Sequence, residues 1–225
     1  MSNPFSYAGK RVVVTGAATG VGAALLELLD EIGAPDVTVL DLKAPTGPHA
    51  RFIETNLGDK SAVDAAIAAI DGQVDVLFNN AGVAATQAPR VVLAVNYLAL
   101  RALSEGLLDQ IPRGGAIVNT ASIAGGQWPS HVSEINELID IGDWDKSLEW
   151  VDSNLEGVGG DSYSFSKEVV RVWGMRHSHA TIAKGVRTNS VCPAPIDTPL
   201  LKDFNETMGE KVMNWTITQA TGTIM

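Results

Sequence analysis

The sequence holds a single cysteine, Cys192, so no disulfide can close within the chain and a disulfide-stapled scaffold is excluded. That thiol is expected to be buried and inert. Basic residues are few: 16 Lys and Arg stand against 26 Asp and Glu, giving a net charge of −10 and a pI near 4.7. Nucleic acid and anionic membrane surfaces recruit Lys and Arg, so neither is an expected partner. Long apolar runs are also missing. The longest, "VVLAVNYLAL" (91–100), is too short to span a bilayer, and "MSNPFSYAGKR" at the start has no apolar signal segment. No low-complexity linker divides the 225 residues. These absences predict one soluble domain over 1–225 in a reducing, cytoplasmic compartment.

What is present is a chain 45% apolar and 19% charged, with β-branched runs alternating with helical patterns. "RVVVT" (11–15), "DVTVLD" (36–41), "RFIET" (51–55), "VDVLFNNAG" (74–82), "GAIVNTAS" (115–122) and "GVRTNSVCP" (185–193) read as six strands. Between the first two, Val21, Leu25, Leu28, Leu29 and Ile32 recur at helical spacing until Gly33. "DKSAVDAAIAAI" (59–70) reads as a helix capped by Asp59, and another spans roughly 90–110. Apolar strands separated by helices predict a doubly wound α/β fold, a parallel Rossmann-type sheet covered on both faces. Such sheets bind ligands beyond the carboxyl ends of their strands.

The first strand runs into "TGAATGVG", where Gly16, Gly20 and Gly22 admit two readings. They form a cradle bringing backbone N–H groups and a helix N-terminus to a pyrophosphate, or a turn required only for tight packing. Asp41 ends the second strand, nineteen residues after Gly22. There a carboxylate can accept from both hydroxyls of an adenosine ribose and repel a 2′-phosphate, favouring NAD, or it can simply cap a turn; Lys43 nearby blunts the preference. Asn56-Leu57 either meets adenine or is an ordinary turn. Tyr163 and Lys167 stand four apart, neighbours on a helix, so the ammonium is expected to stabilise phenolate and lower a pKa that is ordinarily near ~10. Ser122, at the end of the fifth strand, can donate to a substrate oxygen or cap its own turn.

Taken together, these motifs resemble the short-chain dehydrogenase/reductase family over residues 10 to 200. "TGAATGVG" is similar to its cofactor motif, "NNAG" (79–82) to its sheet motif, Asn96 to its helix asparagine, Ser122 to its serine, and Tyr163 with Lys167 to its Y-x-x-x-K pair. "CPAPIDTP" (192–199) is similar to its P-G stretch, with Ala194 where glycine is usual. The resemblance implies an NAD-dependent alcohol dehydrogenase or ketone reductase with Ser122, Tyr163, Lys167 and Asn96 as catalytic residues. Asn96 would hold a water serving Lys167. On the same basis the cofactor would meet Gly16, Thr19, Gly20, Val21, Gly22 and Asp41, then Asn56, Leu57, Asn80, Ala81 and Gly82. Tyr163, Lys167, Pro193, Ile196 and Thr198 would hold its nicotinamide half, and no metal is called for. A different class, an NAD-binding regulator or scaffold without turnover, is opposed by the complete set of four.

Ser122 and Tyr163 are 41 residues apart, more than the family commonly needs. The surplus, roughly 127–155, carries two amphipathic patterns, Ile135/Leu138/Ile139 and Trp144/Leu148/Val151/Leu155. Residues 127–161 hold nine acids against Lys146 alone, a net −8. The segment is expected to be either a helical lid whose apolar face lines the substrate pocket or an acidic elaboration that touches no substrate. Trp128, Trp144 and Trp150 favour a bulky apolar or aromatic substrate. By its length the insertion resembles those of bacterial 3α-hydroxysteroid dehydrogenase/carbonyl reductases and coniferyl-alcohol dehydrogenases. It would crowd the helix that many members use for tetramers, so a homo-oligomer, with a dimer favoured, is expected. Members also continue past the position of Met225 with a helix and a seventh strand; without them the sixth strand is expected to be an exposed edge. Residues 200–218 are expected to form a substrate flap on which Trp215 packs, or a disordered tail over 200–225.

Overall fold

The computed structural model describes residues 6–209 and Met213. Six strands form one parallel sheet: β1 (Arg11–Thr15), β2 (Asp36–Asp41), β3 (Arg51–Glu54), β4 (Val76–Asn79), β5 (Ala116–Thr120) and β6 (Arg187–Val191), in the order β3-β2-β1-β4-β5-β6. Alternate residues of β1 divide the core. Val12 and Val14 join Val37, Val39, Leu26 and Leu29 on one face, while Val13 joins Leu77 and Ile117 on the other. The order reverses between β1 and β4, the crevice position at which such sheets take ligands. Among the described residues no helix is long and apolar enough to cross a membrane.

Helix α1 (Gly20–Glu31) differs from the expected face. Gly22, Leu26 and Leu29 are buried, whereas Val21 and Leu28 are exposed. A Cβ on Gly22 would lie 2.0 Å from the Gly16 carbonyl oxygen, so this glycine must face inward. Positions 22, 26 and 29 follow at i, i+4 and i+7, turning Leu28 outward. Helix α2 (Lys60–Ala69) begins as expected, with the Asp59 side chain accepting from Ser61 N at 2.8 Å. The helix expected over roughly 90–110 runs from Pro89 to Gly106 as α3 (Pro89–Leu93), a π-turn (Ala94–Leu98) and α4 (Ala99–Gly106), continuous in backbone conformation.

The insertion forms α5 (Val132–Ile141) and α6 (Trp144–Asn154), and its apolar residues are spent on the core. Ile135, Leu138, Ile139, Leu148, Trp150 and Val151 pack with Phe165, Val169 and Trp173 of α7 (Ser162–Ala183). The Trp150 and Phe165 rings stack at 5.7 Å. Arg176 of α7 donates to Asn136 and Asp140, Arg101 of α4 to the Ile139 carbonyl, and Arg90 of α3 to Asp152. The lid expectation is corrected here: the apolar faces of α5 and α6 close on neighbouring helices, and no described residue of 127–155 lines the cleft. Cys192 is a second correction. It follows β6, which among the described residues pairs with β5 alone, and it is exposed rather than buried. Helix α8 (Pro199–Met208) covers the cleft from the other side, while Trp215 lies outside the described residues.

Leu138→Ala should therefore lower unfolding free energy by about 2–5 kcal/mol. Substrate and cofactor KM should remain near the parent values, because the residue packs against helices and not against the cleft. Denaturant unfolding and steady-state kinetics on one preparation check both halves.

Candidate active site

A cleft of about 810 Å³ runs along the carboxyl ends of the strands. Its floor at one end is the loop between β1 and α1, where Gly16 and Gly20 adopt φ +69° and +58°. Gly16 faces the Ala81 backbone, where a Cβ would come within 2.5 Å of Cα. The loop is held from the next strand. Asn80 Nδ2 donates to Gly16 O at 2.8 Å, while Thr15 Oγ1 accepts from the amides of Asn80 and Ala81, both at 3.0 Å. No side chain caps α1 at Thr19, so the first-turn N–H groups of Gly20 to Gly22 are left for a ligand in the cleft they line. Asp41 Oδ2 accepts from Ala18 N at 2.9 Å and Oδ1 from Lys43 N at 3.2 Å, fixing the carboxylate beside this cradle. Asn56 and Leu57 complete that end. A glycine-floored cradle, uncapped helix amides and a fixed acid match the donor and acceptor pattern of a dinucleotide's pyrophosphate and ribose.

The other end gathers Ser122, Tyr163 and Lys167. Asp161 caps α7, accepting from Tyr163 N at 3.0 Å and Ser164 N at 3.3 Å, which sets the first turn and aims Tyr163 into the cleft. Tyr163 and Ser122 line the same end of the cleft, and the Ser122 hydroxyl also accepts from Ala124 N at 3.1 Å. The Phe204 ring of α8 lies 4.7 Å from the Tyr163 ring, tilted by 56°. Lys167, 3% exposed, donates from Nζ to the Thr120 carbonyl at 2.8 Å and stands 5.8 Å from the Tyr163 ring centroid. Pro193, Ile196 and Thr198 line the wall between the two ends.

Asn96 sits in the π-turn, where the extra residue per turn re-aims its side chain. Its Oδ1 accepts from Val83 N at 2.8 Å, and its Nδ2 donates to Val83 O at 3.1 Å and to Ser166 Oγ at 2.9 Å. Ser166 in turn donates to the Tyr163 carbonyl at 2.7 Å. Asn96 is thus tied to the strand-end loop and to the first turn of α7. Asn96 Oδ1 and Lys167 Nζ each lie 3.4 Å from the point a Gly82 Cβ would occupy, so a side chain there would separate them.

The electrostatics revise one expectation. Burial pushes the Tyr163 phenol above its ordinary value; the hydrogen bond from Ser122 pulls it down, and the Asp161 carboxylate pushes it further up. Lys167 is not among the groups that shift the phenol, and its own ammonium is pushed down to about 8 by burial, with partial relief from Cys192. The protein alone therefore holds the phenol as a proton donor. Burial of the phenol itself, not its i,i+4 proximity to the ammonium, sets the direction of its shift.

Ser104, Asn119 and Ser166 are not singled out by the sequence, whereas Thr15 and Asn79 each open a quoted motif, "TGAATGVG" and "NNAG". Asn79 Nδ2 donates to Ser104 Oγ at 2.8 Å and to Asn119 Oδ1 at 3.0 Å, a buried link between β4, β5 and α4. For Ser104, Asn119 and Ser166, a small polar residue inside an apolar strand or helix pattern is the only sequence signal.

For Lys167 the folded pKa of about 8 lies below the ordinary value of 10.5, so between these values the unfolded chain binds more protons. Stability then rises with pH across that window, and the full cost of burying the charge is present below pH 8. Lys167→Met should accordingly abolish turnover while raising unfolding free energy at pH 7 by on the order of 1–3 kcal/mol. That advantage should shrink toward pH 10, as thermal melts across pH would read directly.

Residues 10–134 match the family model for short chain dehydrogenase. The chain is 32% identical over 203 residues to coniferyl-alcohol dehydrogenase of Pseudomonas sp. (strain HR199), covering 90% of this chain and 79% of that one. It is 26% identical over 194 residues to 3-alpha-hydroxysteroid dehydrogenase/carbonyl reductase of Comamonas testosteroni, covering 85% and 74%. The crystal structure of the 3-alpha-hydroxysteroid dehydrogenase from Pseudomonas sp. B-0831 complexed with NADH superposes with a TM-score of 0.77 at 30% identity, over 91% of this chain and 81% of that one. With a glycine cradle at one end of its cleft and a serine, tyrosine and lysine at the other, the chain belongs to the short-chain dehydrogenase family, oxidoreductases of alcohols and ketones whose fold takes a nicotinamide cofactor.

Proposed function

We propose that the protein is an NAD(H)-dependent oxidoreductase of a bulky, apolar, uncharged secondary alcohol or ketone, or of an aromatic alcohol or aldehyde. The observation that carries the reading is the meeting of Ser122, Tyr163 and Lys167 at the far end of one continuous cleft from the glycine cradle. A bound nicotinamide supplies or accepts the hydride. In reduction, Tyr163 gives its proton to the developing alkoxide while Ser122 donates to the same oxygen. Burial suits Tyr163 to this direction by keeping it protonated. Lys167 binds the nicotinamide ribose, and its charge favours phenolate when an alcohol is oxidised. Asn96 keeps the first turn of α7 and the Val83 loop in register with Lys167, the setting in which a relay water would sit. Ile196 and Thr198 hold the carboxamide and set which face of the ring is presented.

NAD is favoured over NADP because the Asp41 carboxylate is fixed in the cleft beside the cradle, where a ribose 2′-phosphate would face its charge. Apolar Ile123, Leu200, Phe204, Met208 and Met213 line the substrate end, supporting a bulky substrate. Asp161 and Asp203 line it too, and among the described residues neither has a cationic partner, so a substrate carboxylate is disfavoured. Helices α5 and α6 cover parts of α3 and α7, which supports an assembly other than a helix-bundle tetramer, with a dimer preferred.

Tyr163→Phe should cut kcat by about 10²–10⁴-fold with cofactor affinity retained, as read from NADH absorbance against a panel of steroid ketones and aromatic aldehydes. Turnover that survives the substitution contradicts the assignment. With the parent protein, kcat/KM for NADH should exceed that for NADPH, and Asp41→Ala should narrow the gap. A parent that prefers NADPH would remove the cofactor reading while leaving the proton-transfer group intact.

A further inference from the structure

Residue 168, directly after the active-site lysine, is a glutamate whose side chain is 3% exposed. Nothing in the hydride and proton chemistry uses it. Its partner is His131, whose Nδ1–H donates to Glu168 Oε2 at 2.7 Å. His131 closes the irregular 3₁₀ segment Ile123–Ser130, which starts at Ser122, and it stands at the entrance to α5. The buried carboxylate therefore ties the far end of the serine's own segment to the residue following Lys167.

The near end is tied to the same part of α7. Gly125 lies against the helix backbone so closely that a Cβ would sit 2.7 Å from both the carbonyl carbon and oxygen of Lys167. Gly125 has φ −77°, so glycine is needed there for space and not for conformation. Its carbonyl accepts from Arg171 Nη1 at 3.0 Å, one turn beyond Lys167. Three contacts, at Gly125, Arg171 and Glu168, thus seat residues 122–131 on the turn of α7 that carries Lys167. The hydroxyl of Ser122, which must meet the same substrate oxygen as Tyr163, rides on that segment.

We propose that Glu168 and His131 form a clasp that sets the position of Ser122 against Tyr163, making both positioning residues for the proton-transfer site. The inference rests on the assignment of Tyr163 and Ser122 above. A misplacement of about an ångström at a reacting group can cost up to ~10²-fold in rate, so a buried contact remote from the substrate is a sufficient lever. Because the clasp acts through Ser122, its loss should matter only while Ser122 is present.

The test is a double-mutant cycle on the full chain with NADH and a ketone turned over by the parent. Glu168→Ala should lower kcat by about ten- to a hundredfold with KM for NADH within about twofold, and Glu168→Gln, whose amide oxygen still accepts from His131, should restore most of it. In the residual turnover of Ser122→Ala, adding Glu168→Ala should cost less than about twofold. His131→Ala, at the more exposed end of the contact, should give the same pattern and serves if Glu168→Ala fails to fold. Parent-like kcat in both alanine variants, or equal losses with and without Ser122, would overturn the clasp. Tyr163→Phe measured alongside separates the two claims: surviving turnover removes the site assignment itself, whereas a dead Tyr163→Phe with additive clasp and serine effects removes only the clasp.

Discussion

The buried bond from Lys167 to the Thr120 carbonyl is the constraint around which the site is arranged. It joins the middle of the first two turns of α7 to the end of β5, so one contact sets how far the helix extends beyond the sheet. That depth brings Tyr163 to the same end of the cleft as Ser122 and sets Gly82 beside Lys167 and Asn96. An ammonium so enclosed loses solvation, which is why its pKa falls to about 8. The protein spends stability to keep a cation at the cleft, and the large apolar cluster beneath α7 offsets it. Insertion helices α5 and α6 enlarge that cluster at little cost in solubility, because their acids face water.

A second layer of buried polar groups does for the cofactor end what Lys167 does for the other. Thr15 and Asn80 hold the glycine loop by its own backbone, and the Asn79–Ser104–Asn119 link aligns β4 and β5 behind it. Such groups are costly when unpaired and directional when paired, so they fix strand ends that apolar packing alone would leave free to slide. The cleft is consequently rigid where phosphates and ribose would bind. Under α8 the lining is instead apolar, with Phe204 and the methionines on the substrate side.

Much of this was legible in the chain. Strand period, glycine spacing and the order of Asn96, Ser122, Tyr163 and Lys167 specify the sheet and bring the last three to one cleft, at a strand end or on the first turns of a helix, with Asn96 buried in the π-turn behind them. What sequence could not supply were long-range decisions. Gly22 carries no hydrophobic signal, yet its contact with Gly16 rotates all of α1. The amphipathic stripes of 132–155 state that an apolar face exists, not whether it closes on a pocket or on helices. Proximity of Lys167 to Tyr163 is legible as i,i+4 spacing, whereas the burial of both groups is a property of the whole fold. Cys192 was misjudged for the same reason: its exposure depends on what lies beside β6.

The central claim is that the enclosed site, without cofactor, holds Tyr163 as a proton donor and does not ionise it through Lys167. A carbon-13 NMR titration of tyrosine ring carbons, with Tyr163 assigned by comparison with Tyr163→Phe, measures this directly. The account predicts a Tyr163 signal that ionises at higher pH than an ordinary tyrosine, moving to lower pH only when oxidised NAD is added. A cofactor-free phenol that ionises near neutral pH would contradict it.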